Sequence, residues 1–376
     1  MSRLEDLIAE LCPDGVEYKS LNDVCSISKG VQFNKKDMKD EGTYPVINGG
    51  INPSGYIEQY NCDENTITIS QGGASAGYVN FLTTKFWVGA HCYTLKPYKN
   101  ILNRYLYHFA KANEYKLQEC QYGAGIPALA KSTIISLQIP VPPLEVQREI
   151  VRILDNFTEL TAELTAELTA RKQQYEYYRD ELIENPHGDV IECKMGDILT
   201  FLNGRAYKQE ELLSEGKYPV LRVGNFYTND SWYYSDLELD ESKYCDNGDL
   251  LYSWAATLGP QIWNGEKCIF HYHIWKILFD EKEVDKEYLY YFLQYDLAKI
   301  AKSTTKSTMI HVSMGSMKER QLILPSLEEQ KRIASLISKF DTLCCDIKNG
   351  LPAEITARQN QYEYYRDKLL TFKEAQ

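Results

Sequence analysis

The heptapeptide QYEYYRD occurs twice in this chain, at residues 174–180 and at residues 361–367. The match extends upstream, where residues 164–171 read LTAELTAR and residues 351–358 read LPAEITAR. Both pairs of segments are 187 residues apart in a chain of 376 residues. A repeat of this length and spacing indicates that a large part of the chain is duplicated.

Further matches lie on the N-terminal side of this repeat. They are PPLEVQREI at 142–150 with PSLEEQKRI at 325–333, RYLY at 104–107 with EYLY at 287–290, YPV at 44–46 with YPV at 218–220, Gly30 with Gly204, and His91 with His273. The offset is 183 residues for the first two pairs and 174 for the YPV and Gly pairs. Offsets that change stepwise in chain order indicate a duplicated domain with two insertions or deletions.

Each copy has an α+β part, at residues 13–142 and 189–325. Both parts are rich in Gly, Asn, aromatic residues and short β-branched runs, which is typical of strands joined by turns. Apolar residues three and four apart predict one amphipathic helix in each part, around 102–117 and 286–299. At about 150 residues per domain, the chain length agrees with two or three domains.

Each α+β part is followed by a helical part, at residues 143–188 and 326–376. From Leu144 onwards, apolar residues keep a spacing of three and four for almost forty residues without Gly or Pro, which predicts a helix roughly 60 Å long. The second copy contains Asn-Gly-Leu-Pro at 349–352, which predicts a break near that point. Because each long helix leaves an apolar stripe exposed, the two copies are expected to pack together, antiparallel.

The predicted fold class is therefore α+β, with two pseudo-symmetric α+β domains separated by long antiparallel coiled-coil helices. The pair Leu7-Ile8 repeats Leu182-Ile183 at the corresponding place in the duplication. Residues 1–12 are thus predicted to form a helical segment that packs near the C-terminus and makes the layout pseudo-circular.

Charge and composition limit the classes of function. The chain carries 41 Lys and Arg against 53 Asp and Glu; residues 13–142 hold 12 basic and 11 acidic groups, and residues 189–325 hold 15 and 21. Neither domain alone offers a broad phosphate-neutralising surface, so tight nucleic-acid binding would need positive charge from partner subunits.

The lack of a long apolar run and the acidic start predict a cytoplasmic protein with no membrane partner. The ten cysteines contain no CxxC pair, and we interpret them as reduced, mostly buried thiols.

Motifs of the common enzyme classes are absent from the sequence. It contains no Walker loop, no NPP[YF] tetrapeptide of amino-methyltransferases and no HExxH zinc site. Pro13-Asp14 followed by Glu17 and Lys19 superficially matches a PD-ExK nuclease. Two residues between Asp and Glu leave no room to place the carboxylates on adjacent strands around Mg²⁺. We therefore predict no catalytic residue, no metal site and no cofactor.

The repeated helical motif resembles the specificity subunit of Type I restriction-modification systems, and within that family the Type IC branch. The segment FTELTAELTAELTARKQQYEYYRD at 157–180 and its echo at 357–367 carry this resemblance, which covers essentially the whole chain. The resemblance implies two target-recognition domains and a non-catalytic subunit that gives a methyltransferase/endonuclease complex its DNA specificity. It further implies a bipartite double-stranded DNA target, two modification subunits as direct partners, and restriction subunits as indirect ones.

Polar residues beside Gly-containing turns are the candidates for DNA contact, because Gln, Asn and Arg can pair with base edges and other polar groups with phosphates. In the first domain they are Lys29, Gln32, Asn34, Lys35, Lys36, Ser70, Gln71, Gln121 and Tyr122, together with Gly72, whose backbone could approach a ligand closely. In the second domain they are Asn203, Arg205, Tyr207, Lys208, Arg222, Asn225, Lys302, Ser303, Thr304 and Lys306. Ordinary solvated turns would have the same composition. His91 and His273 are interpreted as structural histidines in preference to DNA contacts.

The repeated tyrosines are the candidates for partner binding. They are Tyr175, Tyr177, Tyr178, Tyr362, Tyr364 and Tyr365. Positions 175 and 177 lie about 200° apart on a helix, so each copy presents aromatic surface on at least two faces. One face would pack in the coiled coil and another would dock a modification subunit, unless all these tyrosines serve the coiled coil alone. The alternative function is a coiled-coil scaffold whose end domains bind proteins or glycans.

Overall fold

The computed structural model describes residues 3–123, 125, 127–227, 229–303, 312–345 and 350–375. The chain divides into two compact units: unit 1 comprises Met1–Ala166 with Glu354–Gln376, and unit 2 comprises Glu167–Ala353. Each unit contains one α+β domain together with segments of the long helices. The predicted α+β class with a long central helix is confirmed.

The helices follow the apolar spacing of the sequence. They are α1 (Arg3–Leu11), α2 (Leu21–Val24), α3 (Asn103–Ala112), α4 (Glu114–Glu119), α5 (Lys131–Ile135), α6 (Leu144–Glu184), α7 (Met195–Ile198), α8 (Lys286–Ser303), α9 (Met314–Lys318), α10 (Leu327–Cys345) and α11 (Leu351–Leu369). The central helix α6 runs for 41 residues, beginning directly after Pro143 and ending two residues before Pro186, where proline cannot continue a helix. The helix predicted around 102–117 is divided at Asn113, whose amide donates to the carbonyl of Phe109 (2.9 Å) and competes with the helical pattern.

The strands have corresponding topologies in the two units, with one additional strand, β14, in unit 2. Those of unit 1 are β1 (Tyr18–Ser20), β2 (Cys25–Lys29), β3 (Tyr44–Ile47), β4 (Tyr56–Ile57), β5 (Thr66–Ser70), β6 (Val79–Leu82), β7 (Trp87–Val88), β8 (Cys92–Pro97) and β9 (Gln138–Pro140). Those of unit 2 are β10 (Val190–Lys194), β11 (Thr200–Asn203), β12 (Tyr218–Leu221), β13 (Tyr233–Ser235), β14 (Tyr244–Cys245), β15 (Leu250–Ser253), β16 (Gly259–Ile262), β17 (Cys268–Phe270), β18 (Ile274–Leu278) and β19 (Gln321–Pro325).

Sheet order shows the duplication directly. Unit 1 contains an antiparallel sheet β2-β8-β5-β6, and unit 2 contains β11-β18-β15-β16 in the corresponding order. A second sheet has the order β4-β3-β7 in unit 1 and β13-β12-β17-β14 in unit 2. In both of these sheets one pairing is parallel, β3 with β7 and β12 with β17. A short ladder, β1 with β9 and β10 with β19, joins the first and last strand of each domain.

The repeated PxLExQ motif attaches each domain to the helix that follows it. The buried amide of Gln147 donates to the carbonyls of Pro142 (2.8 Å) and Asn100 (3.0 Å) and accepts from the N–H of Leu102 (2.9 Å). The buried Gln330 makes the equivalent three hydrogen bonds in unit 2, to Pro325, Glu283 and Asp285 (2.9, 2.9 and 2.8 Å). These contacts satisfy main-chain groups that would otherwise be buried without a partner, so the start of each helix is fixed to its domain.

Both units build their cores from domain and helix together. In unit 1, Ile150 and Leu154 of α6 pack in one cluster with Tyr105 of α3 and Leu370 just after α11. In unit 2, α6 and α10 run antiparallel, because the N–H of His187 donates to Glu329 (2.9 Å) while the ring of Tyr178 stacks on Phe340 (5.9 Å). The helices therefore contribute to the hydrophobic core of each domain.

The two ends of the chain meet in unit 1. The backbone N–H of Val16 donates to the carbonyl of Lys373, and that of Ala375 donates to the carbonyl of Val16, both at 2.9 Å. Arg3 of α1 forms an ion pair with Glu149 of α6 (3.8 Å). Of the helices in the described residues, none is long and apolar enough to cross a membrane.

Candidate nucleic-acid interface

Two candidate loops of unit 1 meet around the turn that contains His91. The backbone N–H of Gln71 donates to the carbonyl of His91 (2.9 Å), and the backbone N–H of His91 donates to Oδ1 of Asn48 (3.3 Å). Asn48 lines a cleft together with Gln32, Asn34, Lys35 and Ser54. We call the group formed by Gln32, Asn34, Lys35, Asn48, Gln71 and His91 the His91 surface. It unites segments that lie up to sixty residues apart in the chain.

The third candidate loop of unit 1 reaches the same surface through Ala128. This residue forms isolated β-bridges with Gly72 and with Tyr122. The side chain of Tyr122 is exposed, whereas the amide of Gln121 donates to the carbonyl of Ala76 (2.6 Å). Tyr122 is therefore the accessible side chain of this loop, and Gln121 holds the loop in place.

Other predicted contacts of unit 1 differ in exposure. Lys29 ends β2 and Lys36 lies in a short 3₁₀ turn that Asn34 caps, and both lysines are exposed. Ser70 is the last residue of β5 and is buried, as are the three residues before it in this strand. The Ser70 side chain therefore has little surface to offer a ligand and its contact with DNA stays a prediction, while Gly72 can offer only its backbone.

The equivalent turn of unit 2 contains His271 and His273. The backbone N–H of Arg205 donates to the carbonyl of Phe270 (3.0 Å), and the ring of Tyr207 stacks on that of His271 with centroids 6.5 Å apart. The rings of His271 and His273 lie 4.8 Å apart. This turn of unit 2 therefore contacts segments that correspond in the duplication to the segments of unit 1 that form the His91 surface.

Arg222 and Trp254 border this second turn. The ring of Trp254 lies 5.0 Å from that of His273, and its backbone N–H donates to the His273 carbonyl (3.0 Å). Burial, His273 and Arg222 lower the pKa of His271 to about 4, so its imidazole is neutral at pH 7. We call the group formed by Arg205, Tyr207, Arg222, Trp254, His271 and His273 the His273 surface. It is richer in aromatic rings than the His91 surface.

A close backbone approach fixes the base of each surface. A Cβ atom added to Gly30 would lie 2.1 Å from the carbonyl oxygen of Gly89, and one added to Gly204 would lie 2.3 Å from that of His271. Contacts this short cannot be accommodated without moving the backbone, so only glycine fits at both places. The repeated glycine of the sequence thus has a structural reason.

Two predicted contacts of unit 2 are engaged within the protein. The guanidinium of Arg205 donates two hydrogen bonds to Glu211 (2.9 and 2.7 Å), which lower the pKa of Glu211 to about 2. The amide of Asn225 donates to the carbonyls of Asn229 (2.9 Å) and Ser231 (3.1 Å). The side chains of Arg205 and Asn225 are therefore held by the fold.

The remaining predicted residues of unit 2 lie in different settings. Asn203 ends β11 and Lys208 precedes a 3₁₀ turn, and both are exposed. Lys302 and Ser303 end α8, but their side chains lie outside the described residues, as do Thr304 and Lys306 altogether. Within the described parts of the chain, no group of three or more His, Cys, Asp or Glu side chains is arranged to hold a metal ion.

Sequence reasoning missed Asn48, Trp254 and His271. A signal for Asn48 was available, because the 174-residue offset that aligns the two Tyr-Pro-Val segments also places Asn48 opposite Arg222. Trp254 and His271 carry no comparable signal, since they join the surface only through the pairing of distant strands.

Comparison with known proteins assigns the chain to a family. The family described as Type I restriction modification DNA specificity domain matches residues 13–171 and again residues 188–357. A protein of Haemophilus influenzae named as a type I restriction enzyme specificity subunit is 33% identical, over 95% of this chain and 96% of its own. The EcoR124I/EcoR124II specificity subunit of Escherichia coli is 28% identical, over 99% and 97%. The chain belongs to the family of Type I restriction-modification DNA specificity subunits.

Solved structures agree with this specificity-subunit fold. The S subunit of a Type I restriction-modification system from Mycoplasma genitalium superposes with a TM-score of 0.60 at 20% identity, over 95% of this chain and 96% of that one. A chain from a study of complex assembly and conformational transition of the type I R-M system gives a TM-score of 0.61 at 16% identity, over 96% and 98%. The resemblance seen in the sequence is thus confirmed at the family level, and the Type IC branch stays a prediction.

The repeated tyrosines of this specificity subunit fall into three matched pairs. Tyr177 and Tyr364 are each 63% exposed, and Tyr178 and Tyr365 are 46% and 40% exposed. The latter two stack on a neighbouring helix, Tyr178 on Phe340 of α10 (5.9 Å) and Tyr365 on Phe157 of α6 (5.4 Å). Equivalent tyrosines in the two units thus have nearly equal surroundings.

The third pair of tyrosines faces inward. The hydroxyl of Tyr175 hydrogen-bonds to Gln294 of α8 (3.1 Å), and that of Tyr362 to Nδ1 of His108 in α3 (3.0 Å). Their rings pack in the cores of unit 2 and unit 1. Each of these two tyrosines therefore joins its long helix to the helix of the adjacent domain, and their role in partner binding stays a prediction.

Proposed function

We propose that this specificity subunit recognises a bipartite, asymmetric DNA target, with one half-site for each α+β domain. The observation that supports the proposal is the pair of corresponding surfaces, which share a backbone frame but carry different side chains. The His91 surface presents amides and Lys35, whereas the His273 surface presents aromatic rings and Arg222. Different donors and acceptors on one frame would read different base pairs.

Charge supports a subunit that works inside a complex. The side chain of Arg205 is engaged by Glu211, and residues 189–325 hold six more acidic than basic groups. Phosphate contacts usually supply most of the affinity for DNA, so partner subunits would supply the positive charge and this chain the base contacts. We further propose that the subunit is non-catalytic and cytoplasmic, and that restriction subunits are only indirect partners.

Docking of two modification subunits is the second part of the proposal. Tyr177 on α6 and Tyr364 on α11 are equally exposed and occupy the same place in the repeated heptapeptide. Each lies beside a tyrosine that already packs on a neighbouring helix, so it projects from an ordered surface. Two equivalent aromatic sites suit two identical methyltransferase subunits.

A domain exchange tests the recognition of half-sites. Residues 13–142 would be replaced by the corresponding residues of a relative that reads another sequence, and the chimera expressed with its modification subunit. Sequencing of methylated genomic DNA should show one changed half-site and one unchanged half-site. Changes in both halves, or no bipartite motif for the parent chain, would contradict the proposal.

A double substitution tests the docking sites. Changing Tyr177 and Tyr364 to alanine should weaken association with the modification subunit while leaving the circular dichroism spectrum and melting temperature nearly unchanged. Tyr115→Ala is the control, because this tyrosine is also exposed, at 57%, but lies on α4 outside the heptapeptides. If the double variant assembles like the control, the exposed tyrosines do not form the docking sites.

A further inference from the structure

Arg222 differs from all other arginines of the chain. The sequence contains twelve arginines, and eleven of them form an ion pair with an Asp or Glu side chain. Within the described residues, Arg222 has no such carboxylate partner. The surrounding domain holds 21 acidic groups against 15 basic ones, so pairing would be easy to arrange. An uncompensated guanidinium in this setting is suited to an external ligand.

The loop after β12 holds this guanidinium in one orientation. Its Nη2 donates to the carbonyl of Ser231 (3.2 Å), and its central carbon lies 4.3 Å from the ring centroid of Tyr233. The Nε is buried without a hydrogen-bond partner among the described residues. Asn225 accepts from the backbone N–H of Arg222 (3.2 Å) and donates to Ser231 (3.1 Å), which closes the loop. Neutral groups therefore order the side chain while its charge remains unneutralised.

The first domain has an equivalent position, Asn48. The strand β3 pairs in parallel with β7, and β12 pairs in parallel with β17; Asn48 directly follows β3, as Arg222 directly follows β12. The side chain of Asn48 is also fixed, because one lone pair of its Oδ1 accepts from the N–H of His91 (3.3 Å), which leaves the second lone pair and the Nδ2 group for a base. A Cβ atom on Gly89 would lie 2.2 Å from this oxygen, so glycine leaves the space that the amide occupies.

The two residue types match the two purines. A guanidinium donates two parallel hydrogen bonds to O6 and N7 of guanine, and an Asn amide pairs with N6 and N7 of adenine. We propose that this position is the base-reading position of each half-site, with Arg222 reading guanine and Asn48 reading adenine. The inference rests on the proposed function, since it assumes that both surfaces face DNA.

Base reading fits Arg222 better than phosphate binding. Phosphate attracts any nearby cation, and in the proposed complex the partner subunits supply that charge. The guanidinium of Arg222 lies over the ring of Tyr233 and is held by the carbonyl of Ser231, so its N–H groups point in a restricted direction. This suits a ligand that accepts two parallel hydrogen bonds. Loss of one bidentate contact should reduce discrimination against the wrong base roughly 5- to 150-fold.

Genomic methylation mapped in cells that express the full chain with its modification subunit tests the inference. The variants are Arg222→Gln and Arg222→Lys, with Lys267→Gln as a control that removes one positive charge from the same domain. Lys267 precedes β17 whereas Arg222 follows the parallel strand β12, so the two lie at opposite ends of this strand pair. For Arg222→Gln we expect one guanine position of one half-site to become degenerate, with the other half-site and the spacer unchanged. For Arg222→Lys we expect the same loss, because lysine retains the charge but lacks the fork.

Several outcomes would overturn the inference and leave the proposed function intact. They are a parent motif without a guanine in that half-site, an unchanged motif in both Arg222 variants, and restoration of the guanine preference by lysine. Uniform loss of methylation at all sites with an unchanged motif would indicate a phosphate contact and would also overturn it. By contrast, a parent chain that yields no bipartite motif would refute the proposed function itself.

A second variant gives independent information should Arg222→Gln fail to fold. Asn48→Ala lies in the other unit and should make one adenine position of the other half-site degenerate, leaving the guanine half-site unchanged. Melting temperatures of the purified chains identify any variant whose loss of methylation reflects unfolding. An unchanged motif for folded Asn48→Ala would refute the equivalence of the two positions.

Discussion

Deletion of one tetrapeptide from α6 should change the spacing of the DNA target. The sequence Thr-Ala-Glu-Leu occurs in tandem at residues 161–164 and 165–168, and the boundary between the two units falls within the second copy, after Ala166. The helix is continuous through this point. We therefore expect its length to contribute to the spacing between the two half-sites.

The size of the effect follows from helix geometry. Four residues correspond to about 6 Å of rise and to a rotation of about 40° beyond one full turn. Base pairs of B-DNA are about 3.4 Å apart, so the spacer should shorten by one or two base pairs. Leu160, Leu164 and Leu168 are half-buried on one face, whereas Ala162 and Glu163 are exposed, so removing one unit keeps the apolar stripe nearly in register. The helix itself should survive, because Ala, Glu and Leu are strong helix formers.

Methylome sequencing of the deletion variant, expressed with its modification subunit, measures this change. Both half-sites should be retained and the unread spacer between them shortened. The control is replacement of one Thr-Ala-Glu-Leu unit by Lys-Ala-Glu-Leu, which keeps the length of the helix and should keep the spacer. Full activity with an unchanged spacer in the deletion variant would refute the reasoning and show that this helix does not set the distance.

Three further predictions concern stability. Gln330→Leu leaves three main-chain groups without their partner and should lower the free energy of unfolding by about 2–4 kcal/mol, measured by urea denaturation. Gly204→Ala should destabilise unit 2 by about 1–3 kcal/mol and lower its melting temperature, because the added methyl group meets a backbone carbonyl. Arg332 lowers the pKa of Glu329 to about 2, so this carboxylate stabilises the fold above pH 4 and its contribution is lost as the pH falls towards 2. In Glu329→Gln, stability at pH 7 should be lower and should fall less between pH 5 and pH 3.

Local signals in the sequence were sufficient for the helices and the duplication. The apolar spacing after Leu144 predicted a helix of almost forty residues, and α6 has 41, because no Gly or Pro interrupts it. The identical heptapeptides predicted equivalent surroundings for their tyrosines, and the structure has them. Such features depend on residues that are neighbours on one helix, and these are close together in the chain.

The orientation and burial of several candidate residues depend on contacts between distant parts of the chain, which the sequence could not predict. Tyr362 turns inward because it meets His108, a residue 254 positions away, and nothing within the heptapeptide distinguishes it from the exposed Tyr364. The burial of Ser70 likewise depends on which face of β5 packs on the core. The 174-residue offset pairs Asn48 with Arg222, but the contact of Asn48 with His91 depends on the pairing of β3 with β7 and has no signal in the sequence.

The meeting of the chain ends in unit 1 has a consequence for the order in which the protein folds during synthesis. Unit 2 is one continuous segment, Glu167–Ala353, whereas the core of unit 1 needs Tyr362 and Leu370 from the end of the chain. At about 5–20 residues per second, the ribosome takes roughly 10–40 s to make the intervening segment. During that interval the first domain to be translated still lacks part of its core, so the domain made second is the first that can close.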